Sequence, residues 1–170
     1  DTVDLYNGTK KGRIYRISAK DAGTPEWTKG LHLGEAASDQ LVEKLADKNI
    51  WWRLNAQRLL VDRNDKAAVP ALEKMIQNTS SPLGRLHALW TLEGMHKLSP
   101  EMIERALKDP GPGIRENAIQ LAELHINDDP GLTAALLPLQ NDQDMRVRFQ
   151  LLLTWGYIHS PEADKARQEL

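Results

Sequence analysis

The 170 residues carry 22 Lys and Arg against 24 Asp and Glu, a formal charge of −2, which excludes the broad basic footprint of a nucleic-acid binder. Hydrophobic residues at 41% and charged residues at 27% are ordinary globular values, so wholesale disorder is excluded and the length suffices to bury a core. The absence of cysteine rules out a disulfide framework and thiolate chemistry, and leaves the redox compartment undetermined.

No apolar run approaches the roughly 18 residues that a membrane-spanning helix needs. The opening DTVDLYNGTK lacks the basic head and apolar core of a signal peptide, and with no initiating methionine the chain reads as an internal piece of something longer. Residues 1–37 are rich in Gly, Thr and Lys. Polar and apolar side chains nearly alternate over Arg13-Ile14-Tyr15-Arg16-Ile17 after a GTKKG turn, which predicts a strand, with Val3 to Tyr6 as a hairpin partner. A lone hairpin is marginal in water, so this segment should lean on other structure or be the remnant of a larger sheet.

From Ser38 onward the pattern is helical. Ser38 is the expected N-cap of a first helix whose Leu41, Val42 and Leu45 recur at helical spacing. Its partner runs from about Ile50 to Val61. Further pairs are predicted at about 67–77 with 82–96, 99–107 with 112–125, and 130–140 with 143–158. Pro82 and Pro100 suit the first turn of a helix. PEADKARQEL reads as one last helix.

An arginine opens each second helix: Arg53, Arg85, Arg115 and Arg148, at intervals of 32, 30 and 33 residues. Asp47, Asp109 and Asp142 stand six residues ahead of Arg53, Arg115 and Arg148, and Thr79 stands ahead of Arg85. So even a spacing marks helical-hairpin repeats, which cannot bury their apolar faces alone and must stack on copies of themselves. The guanidinium's five fixed donors can reach carboxylates and loop carbonyls of its own and the adjacent pair. These seven charged residues are therefore expected to form a structural ladder along the turns.

On helical spacing, residues one, four and seven or eight after each arginine should face the core, and those two, five and nine after it the other side. Asn55, Arg58, His87, Trp90, Asn117, Gln120 and Gln150 then form a polar strip containing one tryptophan. Such a strip can bind a partner chain or a neighbouring domain, or be plain wetted surface. Trp90 can either project as a contact residue or tuck sideways into the core.

Helix pairs of this length, with Asp closing the first helix and Arg opening the second, resemble HEAT repeats over about residues 38–160. The resemblance implies an all-α, right-handed, armadillo-like α-solenoid. GRIYRI, LADKNIWWRLNAQRLL, AAVPALEKMI, GRLHALWTLEGM, KDPGPGIRENAIQLAE and DMRVRFQLLL together resemble the helical region of predicted secreted or membrane-bound dehydrogenase-like proteins of planctomycete and verrucomicrobial type. In those proteins a β-propeller like that of sugar dehydrogenases ends in a strand like GRIYRI, HEAT repeats follow, and a cytochrome c module often comes after. The resemblance implies an extension over 1–37, left from a propeller, and a HEAT-repeat domain over 38–170 with four helix pairs and a terminal helix. It also implies a periplasmic, secreted or membrane-associated parent. Propeller blades that would carry a cofactor are absent, and with no cysteine there is no CxxCH haem attachment. No cofactor and no dehydrogenase activity therefore pass to these residues.

Other chemistry is thin. His32, His87, His96, His125 and His159 form no i,i+4 pair and no HExxH frame, so neither a metal site nor a catalytic residue is assigned. Gly111 and Gly113 alternate with prolines in a rigid turn, Ser80 and Ser81 have no nucleophile-elbow context, and Glu101 with Glu104 is an ordinary acidic helix face. Asn127-Asp128-Asp129 lacks the spacing of a calcium loop. Two functions remain: a non-catalytic scaffold or interaction module, and alternatively a helical-repeat enzyme of the DNA-glycosylase type gripping duplex DNA in a concave groove. The scaffold is preferred, since the strip offers mostly amides. Its expected partners are neighbouring domains of the parent or another protein, with no nucleic acid, no direct membrane insertion and an open oligomeric state.

Overall fold

The computed structural model describes residues 32–78, 80–158 and 161–169, together with 19–21 and 23. The chain divides into two compact units, 1–32 and 33–170, and every described helix belongs to the second. The strand expected at Arg13 to Ile17, its partner at Val3 to Tyr6, and with them the short N-terminal β segment, lie outside the described residues. So does Thr79.

Among the described residues the fold is all-α, with nine α-helices and no strand, as the periodicity predicts. A 3-10 turn at Leu33–Glu35 precedes α1 (Ser38–Lys44) and α2 (Ile50–Arg63). A second 3-10 turn, Lys66–Ala68, leads into α3 (Val69–Asn78), followed by α4 (Pro82–Gly94), α5 (Pro100–Ala106) and α6 (Pro112–His125). Then come α7 (Gly131–Leu136), a 3-10 turn at Leu137–Asn141, α8 (Met145–Tyr157) and α9 (Pro161–Glu169).

The starts have local causes. Asn49, Ser81, Ser99 and Asp144 each accept a hydrogen bond from a backbone N–H of the first turn that follows, satisfying donors the helix cannot. Pro82, Pro100 and Pro112 occupy first-turn positions, where a missing N–H costs nothing. Ser38 is not a cap: it is the first residue of α1, Ala37 holds the cap position, and the Ser38 hydroxyl donates to Asp65 Oδ2 at 2.6 Å. The ends are less readable. Asn64 and His96 close α2 and α4 with φ of 45° and 56°, a left-handed turn more often given to glycine. Pro138 cannot donate back into α7, so that helix tightens into the 3-10 turn.

Within the unit α1 packs on α2, α3 on α4 and α5 on α6, while α2, α4, α6 and α8 touch in succession. The fourth pair is irregular: α8 packs on the 3-10 turn after α7 and on α9. Burial repeats with the arginines. The residue before each one (Trp52, Gly84, Ile114, Val147), the third after it (Ala56, Ala88, Ala118, Leu151) and the seventh after it (Leu60, Leu92, Ala122, Trp155) are buried in all four helices. The expected core position one after the arginine is corrected: Leu54 and Phe149 are 53% and 60% exposed. The arginines turn toward the loops, Arg53 being buried, and this rotates the apolar stripe back by about one residue.

Candidate interaction surface

The ladder residues sit in the turns that join first to second helices. Asp47, Asp109 and Asp142 each bend their carboxylate back onto the loop, Oδ1 accepting from the N–H two residues on: Asn49 at 2.9 Å, Gly111 at 2.7 Å and Asp144 at 2.9 Å. This Asx turn aims the loop carbonyls at the arginine that follows. Arg53 Nη1 donates to the carbonyls of Asp47 and Lys48 at 2.7 and 2.9 Å. Arg115 Nη1 does the same to Asp109 and Pro110 at 2.7 and 3.2 Å, and Arg148 Nη1 donates to the Asp142 carbonyl.

The rest of the guanidinium reaches forward. Arg85 holds the Asp109 carboxylate with contacts of 3.0 and 3.2 Å, and Arg115 holds Asp142 at 2.6 and 2.7 Å. Arg115 keeps the Asp142 carboxyl below the usual carboxylate range despite burial, and Asp142 raises the Arg115 guanidinium in return. In the sequence, Thr79 rather than an aspartate stands six residues before Arg85, and Arg53 has a different partner. Its Nε instead donates to His87 Nε2 at 3.2 Å, while His87 Nδ1 lies 2.7 Å from Gln57 Oε1. Nε2 must accept, so the imidazole is neutral with its proton on Nδ1. Burial first and the Arg53 charge second push its pKa down. Asp47, ahead of the first arginine, takes Lys44 Nζ at 3.3 Å.

Five of the seven strip residues bond one another or a neighbouring helix. Trp90, half-buried against the core, donates from Nε1 to Asn117 Oδ1 at 2.9 Å, and Asn117 Nδ2 donates to the Gly113 carbonyl. Gln120 Nε2 donates to Gln150 Oε1 at 3.1 Å, and His87 joins α2 to α4 as described. Asn55 bonds the Trp51 carbonyl of its own helix, and Arg58 is exposed. The strip is thus a hydrogen-bonded row between successive second helices, with most of its donors already engaged.

Three contacts escaped the sequence reading. His125 Nε2 lies 2.6 Å from Glu93 Oε2, and the Thr154 hydroxyl, fully buried, donates to Glu123 Oε2 at 2.6 Å. Both link successive second helices, so extending the strip to the eighth and tenth positions would have found the first. Arg63 clamps the Gly34 and Ala36 carbonyls at 2.7 and 2.6 Å, tying the turn before α1 to α2. No sequence signal marks it.

The outward apolar residues are concentrated on two helices. Ile50, Trp51 and Leu54 are exposed on α2, and Met145, Phe149, Leu152, Leu153 and Tyr157 on α8. Trp51 meets Trp52 edge-on at 5.0 Å, and Lys44 Nζ stands 5.0 Å over the Trp52 ring. Among the described residues no group of three or more His, Cys, Asp or Glu could hold a metal ion, and no helix is long and apolar enough to cross a membrane. A scan against protein-family models returned no match, and neither did a search of curated proteins.

Proposed function

We propose that residues 38–170 are a right-handed α-solenoid of HEAT-like repeats serving as a non-catalytic scaffold, which docks or spaces neighbouring domains of a larger, dehydrogenase-like protein. The like links from Arg85 to Asp109 and from Arg115 to Asp142, each into the next loop, support the repeat reading. For docking, the observation that carries most is the face of α8. Four residues after the arginine lie Leu89 on α4 and Ile119 on α6, both fully buried, whereas Leu152 at the same place on α8 is 42% exposed. With Phe149 and Leu153 beside it, α8 offers the kind of contiguous apolar patch that monomeric surfaces seldom leave bare. The charged and titratable groups with shifted pKa values are each engaged in caps or ladder contacts, which fits a structural role.

Hydroxyl-radical footprinting of the isolated chain and of the longer parent tests this. Phe149, Leu153 and Tyr157 should react readily in the isolated chain and be protected in the parent. Equal reactivity in both would end the docking reading.

A further inference from the structure

A cavity of about 320 Å³ opens between the second and third helix pairs, where α3 and α5 pack less closely than α1 on α3 or α5 on α7. That volume lies at the lower end of the range for small-molecule sites. Its wall is apolar: Ile76 from the last turn of α3, Leu89 from α4, Ala106 from α5 and Ile114 from α6, of which the last three are buried. Its rim is cationic. Arg85 also lines it, but that guanidinium and the Asp109 carboxylate neutralise each other at 3.0 Å. Asp109 is further occupied by the Gly111 N–H. What remains is Arg105 and Lys108, both exposed and lining the same opening; Arg105 also acts through space on Glu101, one turn earlier on α5.

We propose that this cleft binds an amphipathic carboxylate, its apolar body against Ile76, Leu89, Ala106 and Ile114 and its headgroup between Arg105 and Lys108. The wall supplies the hydrophobic term, and a dry floor strengthens the charge-assisted hydrogen bonds at the rim. Two side-chain cations suit a singly charged headgroup; a phosphate dianion is ordinarily gripped by more donors, backbone N–H groups among them. The stems of Arg105 and Lys108 can lie along the wall while their heads stay in water. The site is remote in sequence from the α8 face, so its test and that of the docking role fail independently.

Octanoate is the probe, titrated into the full chain and followed by amide chemical shifts. Saturable shifts should centre on Ile76, Ala106 and Ile114, weaken with salt, and fall away with octanol, which keeps the tail, and with acetate, which keeps only the charge. Arg105→Glu with Lys108→Glu should weaken octanoate about tenfold or more. Ala106→Phe, which fills the floor, should abolish binding. The rim residues are exposed, so the double charge reversal carries the test alone if Ala106→Phe does not fold. Absence of saturation, octanol binding as tightly as octanoate, or unchanged affinity in the rim variant would overturn the proposal.

Discussion

Arg115 and Asp142, from successive helix pairs, are joined by two parallel hydrogen bonds of 2.6 and 2.7 Å, and the third arm of the same guanidinium holds the Asp109 carbonyl behind it. One side chain therefore satisfies two loops. Both partners are largely buried, at 16% and 6% side-chain exposure, so truncating the arginine strands a carboxylate and a carbonyl together.

Arg115→Ala is expected to lower stability by about 1–3 kcal/mol, with Arg115→Lys recovering only part because an ammonium cannot fork. Lys74→Ala, at an exposed site, is the reference. Urea denaturation showing Arg115→Ala equal to Lys74→Ala would rule the role out. Acid provides a second reading. Since Asp142 is depressed when folded, its contribution is present above the unfolded carboxyl value near 3.9 and is lost as pH falls through the lower folded value. The gap between the natural chain and Asp142→Asn should be open at neutral pH and close below about pH 4.

His87 responds in a different window. Its folded pKa is depressed, so the native state takes up the proton less readily than the unfolded chain, whose value is about 6.5. Its stabilisation is complete above that value and is lost as pH falls toward the folded one. Protonation sets Nε2–H against the Arg53 Nε–H, donor against donor. Chemical denaturation at pH 8 and at pH 5.5 should show His87→Gln with a shallower pH dependence than the natural chain. An unchanged slope would mean that Arg53 does not depend on a neutral imidazole.

Trp90 divides its role between packing and a hydrogen bond. Trp90→Phe should cost about 0.5–1.5 kcal/mol and Trp90→Ala about 2–4 kcal/mol, below the figure for a fully buried tryptophan. A double-mutant cycle of Trp90→Phe with Asn117→Ala should return a coupling of about 0.5–1.5 kcal/mol. Strict additivity would show that the 2.9 Å contact contributes nothing to the joint between α4 and α6.

Two glycines should move stability in opposite directions. A Cβ on Gly94 would lie 2.8 Å from Val61 Cγ2 and 3.2 Å from Cγ1, and a β-branched side chain has little room to rotate away. Gly94→Ala should therefore cost about 1–3 kcal/mol, much of it restored by Val61→Ala. Gly156 has nothing within 4 Å of its virtual Cβ and lies inside α8. Gly156→Ala should gain up to about 1 kcal/mol. Thermal melts of the three variants decide the matter.

The helices were legible because arginine spacing and first-turn prolines are local signals: Pro82, Pro100 and Pro112 each begin a helix where expected. Phase was harder to read than period. Placing the core one, four and seven or eight residues after each arginine puts Leu54 inside, whereas the Arg53 guanidinium folds back over its own loop and Trp52 takes the buried place. His87 as the acceptor for Arg53 was out of reach. Nothing in the strip pattern distinguishes a histidine that bridges two helices from one that faces water, and only proximity reveals that it stands in where Thr79 replaces an aspartate. The left-handed stop at His96 was hidden for a similar reason, because the residue type does not announce the conformation.

Arg85 and Arg115 make the same forward contact, each to the aspartate of the next loop, so the two joints share one chemistry. A pair that brings both its aspartate and its arginine can be duplicated or deleted whole, and the flanking arginine still meets an aspartate in the loop that arrives. The second pair departs from that pattern, since it brings Thr79 in place of an aspartate and offers Arg53 His87 instead. Excising it would set Arg53 against the Asp109 loop, a partner of the kind that Arg85 and Arg115 already hold.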